Sequence, residues 1–317
     1  MLIVDKRKGD HMPIHEVIPT PSIGLNRALG GGLNTGASHL FWGTPSVGKT
    51  TMCFRILAEA QRRGYRPVII DSEYSYNDVY AEKCGIDISD VVVIQSTIVE
   101  EIMKALIGYL TNDVEKHIFL FDSLSNIIKE EFYDKPEGGK AMGLQSRSQG
   151  YLLQKLVNYL HKEKNIMLFV AHQTVDLSGM FAVTKAKMGN TVHHNMHNII
   201  KLFLSMSQKE MERDNTHTIT SQRAVWTIEK TKQIPTIGAQ GYYYVLPKEG
   251  KIDVDREIID IAIEMDIIQR RGAWYSYGKD KWNGIIAITL SDKDKNDICN
   301  LIMGRNFEDV LVKNEEK

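Results

Sequence analysis

The segment Gly43-Thr44-Pro45-Ser46-Val47-Gly48-Lys49-Thr50-Thr51 constrains this chain more than any other. It reads G-x-x-x-x-G-K-T, a loop whose backbone N–H groups cradle phosphates. The apolar run Leu40-Phe41-Trp42 before it suits a buried strand, and Met52–Ala60 after it suits a helix. Strand, loop and helix in that order aim a helix N-terminus at an anion. Gly43 and Gly48 let the backbone fold close round the anion, and Lys49 brings a mobile positive charge to the outer phosphates. The Thr50 hydroxyl suits magnesium, which bridges phosphate oxygens while keeping several waters. What the nucleotide is used for must come from the rest of the chain.

From residue 37 apolar runs at 38–42, 67–71, 91–95, 117–122 and 166–171 alternate with helical stretches near 50–63, 78–84, 98–112 and 143–163. Near-continuous apolar strands between amphipathic helices predict an α/β fold, with a mostly parallel sheet covered by helices on both faces. After residue 198 the texture turns to strands at 199–206, 224–229 and 242–246, a β-meander extending the sheet. A helix at 257–263 then opens a small α/β C-terminal domain. The expected division is an N-terminal arm and linker over 1–36, an ATPase core over 37–250, and a C-terminal domain with a charged tail over 251–317.

Composition excludes several classes. The 317 residues are 43% hydrophobic and 25% charged, ordinary globular values that argue against wholesale disorder. Three well-separated cysteines make neither a disulfide framework nor a zinc ribbon and fit a reducing compartment. No run of 18 apolar residues and no signal-peptide core exists, so a soluble cytoplasmic protein with no membrane partner is expected. The net charge of -1 leaves any nucleic-acid contact to local patches.

A triphosphatase needs a carboxylate for magnesium and a group that positions water. The run His117–Phe121 ends in Asp122-Ser123, which places a carboxylate at the C-terminal end of a parallel strand, where ligands gather. Asp122 reads as the magnesium carboxylate or as a helix N-cap. The run 67–70 ends in Asp71-Ser72-Glu73, of which Asp71 suits a cap and Glu73 a base for the attacking water. The run 166–171 ends in His172-Gln173, and a Gln there can feel a γ-phosphate and lose it on hydrolysis.

Laid end to end, these residues resemble the RecA family of strand-exchange recombinases, the bacterial RecA and phage UvsX type. The resemblance runs from about Ser22 to Gly284 and includes Ser22–Asn26, Ala28–Gly30, Asp71–Glu73, Tyr80–Asp87, Asp122-Ser123, Met142–Leu144 with Arg147, and Glu229–Lys232 before Pro235. Its most specific part is Gly272-Ala273-Trp274-Tyr275-Ser276-Tyr277, which related sheet ATPases such as replicative helicases do not carry. The resemblance implies a RecA-type core with ATP and Mg2+ as cofactors. It makes Gly43 to Thr51 the ATP loop, Thr50 and Asp122 the metal residues, and Glu73, Lys49 and Gln173 the catalytic set. Tyr80 would stack on adenine, Asn77 would touch the base, and Lys230 and Lys232 would reach the neighbouring subunit's nucleotide. Without the resemblance those two lysines read as a solvated strand end.

The partners it implies are single-stranded and duplex DNA and further copies of the chain, as a homo-oligomer or helical filament with ATP between subunits. Two loops would contact DNA, one at about 133–142 followed by Arg147, the other over 174–192. In the second, Met180 and Phe181 could wedge between bases, and Lys185 and Lys187 could pair with phosphates. His193, His194 and His197 follow. No carboxylate or cysteine completes a zinc set there, so they read as polar loop or interface residues. The aromatic and basic residues around Trp274 and Trp282 read mainly as the core of a small domain. Two departures stand out. Only about 20 residues precede the core, which predicts a weakened filament contact with Leu2-Ile3-Val4 as a pairing strand, and the second loop has Met188-Gly189-Asn190-Thr191 where the family is glycine-rich. An ATP-switched DNA-binding accessory protein without strand exchange, and a hexameric motor or signalling ATPase, are the competing functions.

Overall fold

A computed structural model describes residues 16–111, 114–132, 143–163, 165–176, 183–205 and 211–304. The chain enters through β1 (Val17–Ile18), α1 (Ile23–Leu29) and β2 (Leu33–Asn34), with β1 and β2 paired antiparallel. It continues through β3 (Ser38–Gly43), α2 (Lys49–Arg62), β4 (Tyr65–Asp71), α3 (Asp78–Lys83), β5 (Val92–Ile94), α4 (Val99–Leu110) and β6 (Lys116–Asp122). Then come α5 (Leu144–Glu163), β7 (Ile166–Asp176), β8 (Val183–Ala186), α6 (Asn190–Asn195) and β9 (Asn198–Leu204). β10 (Met211–Arg213), β11 (Ile219–Thr231), β12 (Gln240–Leu246) and β13 (Lys251–Ile252) complete the main sheet. The C-terminal part holds α7 (Val254–Glu264), β14 (Gln269–Arg271), β15 (Trp274–Tyr277), β16 (Asp280–Asn283) and α8 (Asp292–Met303).

The main sheet runs β13-β12-β11-β9-β3-β7-β6-β4-β5, with β10 on β11 and β8 on β7. Strands from β9 to β5 are parallel, and the meander β11-β12-β13 joins antiparallel, as the hydrophobic pattern predicts. Period-2 alternation splits each strand between two cores. Ile118 and Leu120 of β6, with Leu168 and Val170 of β7, face the cluster that α2 covers with Met52, Cys53, Ile56 and Leu57. Phe119, Phe121, Met167 and Phe169 point the other way, against Ile102 and Leu106 of α4 and Leu152 and Leu156 of α5. Phe121 and Phe169 stack at 4.7 Å across neighbouring strands. Fully burying one such side chain contributes about 1.5–3 kcal/mol, so the two faces hold the parallel strands' C-terminal ends in fixed register.

Three details differ from the sequence reading. Residues 16–36, read as the end of an arm and a linker, place Ile18, Leu25, Leu29 and Leu33 in the first core cluster. The stretch after Gln173, expected to be loop through Val192, instead continues β7 to Asp176, returns as β8 and adds α6. Cross-strand backbone bonds form there despite the polar side chains. The C-terminal part has its own core around Ile258, Ala262, Ile268, Tyr275 and Ile298, which Ile23 of α1 joins. Trp274 is exposed, whereas Tyr275 is buried. The expected pairing strand at Leu2-Ile3-Val4 and the first DNA loop at 133–142 lie outside the described residues.

Candidate functional site

The phosphate loop leaves β3 through Gly43, where a Cβ would meet the Leu202 carbonyl oxygen at 1.7 Å, so only glycine fits between β3 and β9. Its exit, Gly48 at φ 91°, is the N-cap of α2 and brings no side-chain cap. The first-turn N–H groups of an α-helix have no partner within the helix, so this end offers donors to an anion. Lys49 Nζ donates to the loop's own carbonyls at Gly43 (3.2 Å) and Thr44 (2.8 Å). Burial lowers its pKa, against the opposing pull of Asp122 and Glu73. A buried cation held by loop carbonyls beside an uncapped helix fits a polyphosphate. Gln222 of β11, outside any motif, donates from Nε2 to the Ser46 carbonyl at 2.6 Å and props the loop from the meander side.

The acidic partners gather at the ends of adjacent strands. Thr50 Oγ1 donates to Asp122 Oδ2 at 2.7 Å. Burial pushes the Asp122 carboxyl up to about 6 although the Thr50 hydrogen bond favours the anion, and the Glu73 carboxylate adds to the rise. A buried carboxylate and hydroxyl side by side are the donor set that Mg2+ takes. Asp71 accepts from the backbone N–H groups of Glu73 (3.3 Å), Ser75 (3.1 Å) and Tyr76 (3.0 Å) and from Gln95 Nε2 (2.9 Å). Burial alone would raise its pKa, but these bonds hold it below the usual carboxylate range. Asp71 therefore shapes the turn that carries Glu73 into the cleft. Ser72 Oγ bonds both the Ser123 carbonyl (2.6 Å) and the Ser123 N–H (3.0 Å), stitching that turn to the end of β6. Glu73 Oε1 lies 2.6 Å from His172 Nε2, a contact that the sequence reading did not foresee.

The cleft lined by Pro45, Ser46, Gly48, Lys49, Thr50 and Thr51 also takes in Glu73, Tyr80, Asp122 and His172, with Val245 and Pro247 on its meander side. Tyr80, expected to stack on a base, lines this cleft with its hydroxyl 2.7 Å from Thr51 Oγ1. Asn77 caps α3 by accepting from the Tyr80 N–H at 3.0 Å. Gln173 is half-buried and pairs with Ala186 across the β7–β8 ladder.

The remaining candidates fall in two places. Lys230 pairs in register with Ile199, near the start of β9, whereas Gly43 sits beside Leu202. The two lysines are thus toward the opposite end of the strands from this chain's own phosphate loop. Lys230 Nζ donates to the carbonyls of His193 (2.5 Å) and His194 (2.9 Å), and the Lys232 N–H donates to the His197 carbonyl (3.1 Å). Burial and the neighbouring Lys232 lower the Lys230 pKa. The histidine stretch thereby has a structural role as an acceptor for lysine, and no metal-holding group of three ligands exists among the described residues. Arg147 is exposed in the first turn of α5, and Lys185 and Lys187 are exposed along β8 and just after it. The start of α5 packs on α6, where a Cβ on Gly189 would touch Ser146 at 3.0 Å and one on Gly150 would touch Thr191 at 3.3 Å. Met180 and Phe181 lie outside the described residues.

An uncapped helix after a glycine loop, a buried lysine and a Thr–Asp pair at the ends of parallel strands define a P-loop nucleoside triphosphatase. Family models narrow this: one for the RecA N-terminal domain matches residues 3–238, and one for the RecA C-terminal domain matches residues 256–282. Protein RecA of Roseiflexus sp. (strain RS-1) is 31% identical over 274 residues, covering 84% of this chain and 74% of the relative. Protein RecA of Methylococcus capsulatus is 28% identical over 282 residues, covering 87% and 78%. The chain belongs to the RecA family of recombination ATPases.

Proposed function

We propose that this protein is an ATP-dependent recombinase that coats single-stranded DNA as a helical filament and pairs it with a homologous duplex. It hydrolyses ATP faster when DNA is bound. The observation that carries this reading is the path of β7. One strand passes the cleft at His172 and runs on through Gln173 into the β7–β8 hairpin that bears Lys185 and Lys187.

In this reading the loop from Gly43 to Thr51 binds the phosphates of ATP, with Lys49 neutralising the outer ones. Thr50 and Asp122 would hold Mg2+, which supplies positive charge against the phosphate oxygens. Glu73 orients the attacking water and accepts its proton. Gln173 senses the γ-phosphate and passes its presence to the hairpin. Tyr80 swings from Thr51 to pack on adenine, and the Asn77 amide group touches the base edge. Lys230 and Lys232, remote from their own phosphate loop, meet the phosphates of the next subunit, so turnover depends on assembly. Arg147, Lys185 and Lys187, with Met180 and Phe181, contact DNA. The protein works in the cytoplasm of a bacterial or phage-infected cell. Among the described residues no helix is long and apolar enough to cross a membrane.

A joint-molecule assay with circular single strands and linear homologous duplex, ATP and Mg2+ tests this. ATP-dependent joint molecules are expected. ATP-dependent binding to single strands without joint molecules would make the protein a DNA-binding accessory ATPase instead.

A further inference from the structure

The contact between Glu73 Oε1 and His172 Nε2, 2.6 Å, links the proposed base to the foot of the hairpin. An ionised carboxylate only accepts hydrogen bonds, so Nε2 carries the proton in this pair. The contact reaches from the turn after β4 to β7 across the end of β6, which lies between them in the sheet. It takes up one of the carboxylate oxygens with which Glu73 would accept a proton from water. A base must lie within about 2.6–3.2 Å of the group it deprotonates, so a carboxylate engaged sideways is turned from that task.

The backbone of His172 is held from two sides. Its N–H donates to Ser125 Oγ at 2.9 Å, in the segment that follows Asp122. Its carbonyl accepts from the Lys187 N–H at 2.8 Å, the residue at which the hairpin returns. The next rung of the ladder is Gln173 with Ala186. Displacement of the returning strand therefore acts directly on the peptide carrying the His172 ring. Lys187 and Lys185, both exposed, are the side chains on that strand suited to a phosphate backbone.

We propose that His172 is a positioning residue that restrains Glu73 while the hairpin is free and releases it when DNA engages Lys185 and Lys187. This rests on the reading of Glu73 as the base and of the hairpin as a DNA contact. It supplies a route for DNA to raise hydrolysis that is separate from phosphate sensing by Gln173.

The test is steady-state phosphate release by the full chain, with and without a mixed-sequence single-stranded oligonucleotide. It uses His172→Leu and His172→Phe, which lack a donor, and His172→Gln, which keeps an N–H at similar reach. A hydrogen bond to a charged group is worth enough to change an equilibrium about tenfold. The donor-less variants should raise DNA-free kcat on the order of tenfold at unchanged KM for ATP, lowering the stimulation ratio by the same factor. His172→Gln should return both values toward wild type. DNA-free kcat at or below wild type in whichever donor-less variant keeps the wild-type melting temperature overturns the proposal, as does an equal rise in His172→Gln. Glu73→Ala separates the base assignment from the restraint. If it still hydrolyses ATP, the base assignment fails. If it is inactive while His172→Leu is silent, only the restraint fails.

Discussion

Glu257→Gln gives a stability change whose sign and size follow from one buried carboxylate. Glu257 of α7 is fully buried, and its Oε1 accepts from Ser22 Oγ (2.6 Å) and from the Gly24 N–H (3.0 Å), tying the C-terminal part to the start of α1. Its Oε2 is buried with no partner among the described residues. Burial raises its pKa from 4.5 to about 8, although the Ser22, Gly24 and Ile23 hydrogen bonds favour the anion, and Asp260 adds to the rise. The folded protein thus keeps a proton that the unfolded chain releases. The stability contributed is fully present below pH 4.5 and is lost as pH rises toward 8. At 1.36 kcal/mol per pKa unit, the loss between pH 5 and pH 8 is ~3 kcal/mol. The amide in Glu257→Gln is neutral throughout and lacks this loss. Urea unfolding of both proteins at pH 5 and pH 8, analysed by linear extrapolation, should show near-equal stability at pH 5. At pH 8 the variant should be ahead by ~3 kcal/mol. A difference independent of pH would refute the assignment of an uncharged, buried Glu257.

Lys49→Ala removes the only side-chain cation of the phosphate loop and should abolish measurable ATP turnover while leaving the far-ultraviolet circular dichroism unchanged, checked by phosphate release. Lys230→Ala should leave nucleotide affinity of the dilute monomer within about twofold, measured with a fluorescent ATP analogue, and should cut DNA-stimulated turnover at least tenfold, the scale for a cation lost from a transition state. Equal loss of monomer affinity in both variants would remove the proposed cross-subunit role of Lys230.

Much of the site is legible in the sequence because its chemistry dictates residue type at fixed spacing. The loop from Gly43 to Thr50 and the strand ends at Glu73 and Asp122, which line one cleft, belong to this class, since a parallel sheet must deliver its C-terminal strand ends to one crevice. The unbroken apolar run through Phe119 and Leu120, which face opposite cores, also made the two-faced sheet readable. What escaped reading depends on contacts between distant segments. Gln222 reaches the Ser46 carbonyl from a strand 176 residues away, and no local pattern marks it. His172 was visible only as a polar strand end, and its partner Glu73 lies 99 residues earlier. Residues 16–36 look like a linker because their one helix is short and runs into Gly30-Gly31-Gly32, yet Leu25, Leu29 and Leu33 are fully buried. The β7–β8 ladder was hidden because Thr174 and Lys185 carry no hydrophobic alternation, and backbone pairing needs none.

On the proposed mechanism, ATP hydrolysis at Glu73 answers to DNA bound at the hairpin. The direct measurement is ATP hydrolysis by the wild-type protein titrated with single-stranded DNA, alongside Glu73→Ala. We predict a rate that rises with DNA to a plateau in wild type and stays at background in Glu73→Ala at every DNA concentration. A wild-type rate that ignores DNA, or stimulation that survives in Glu73→Ala, would contradict it.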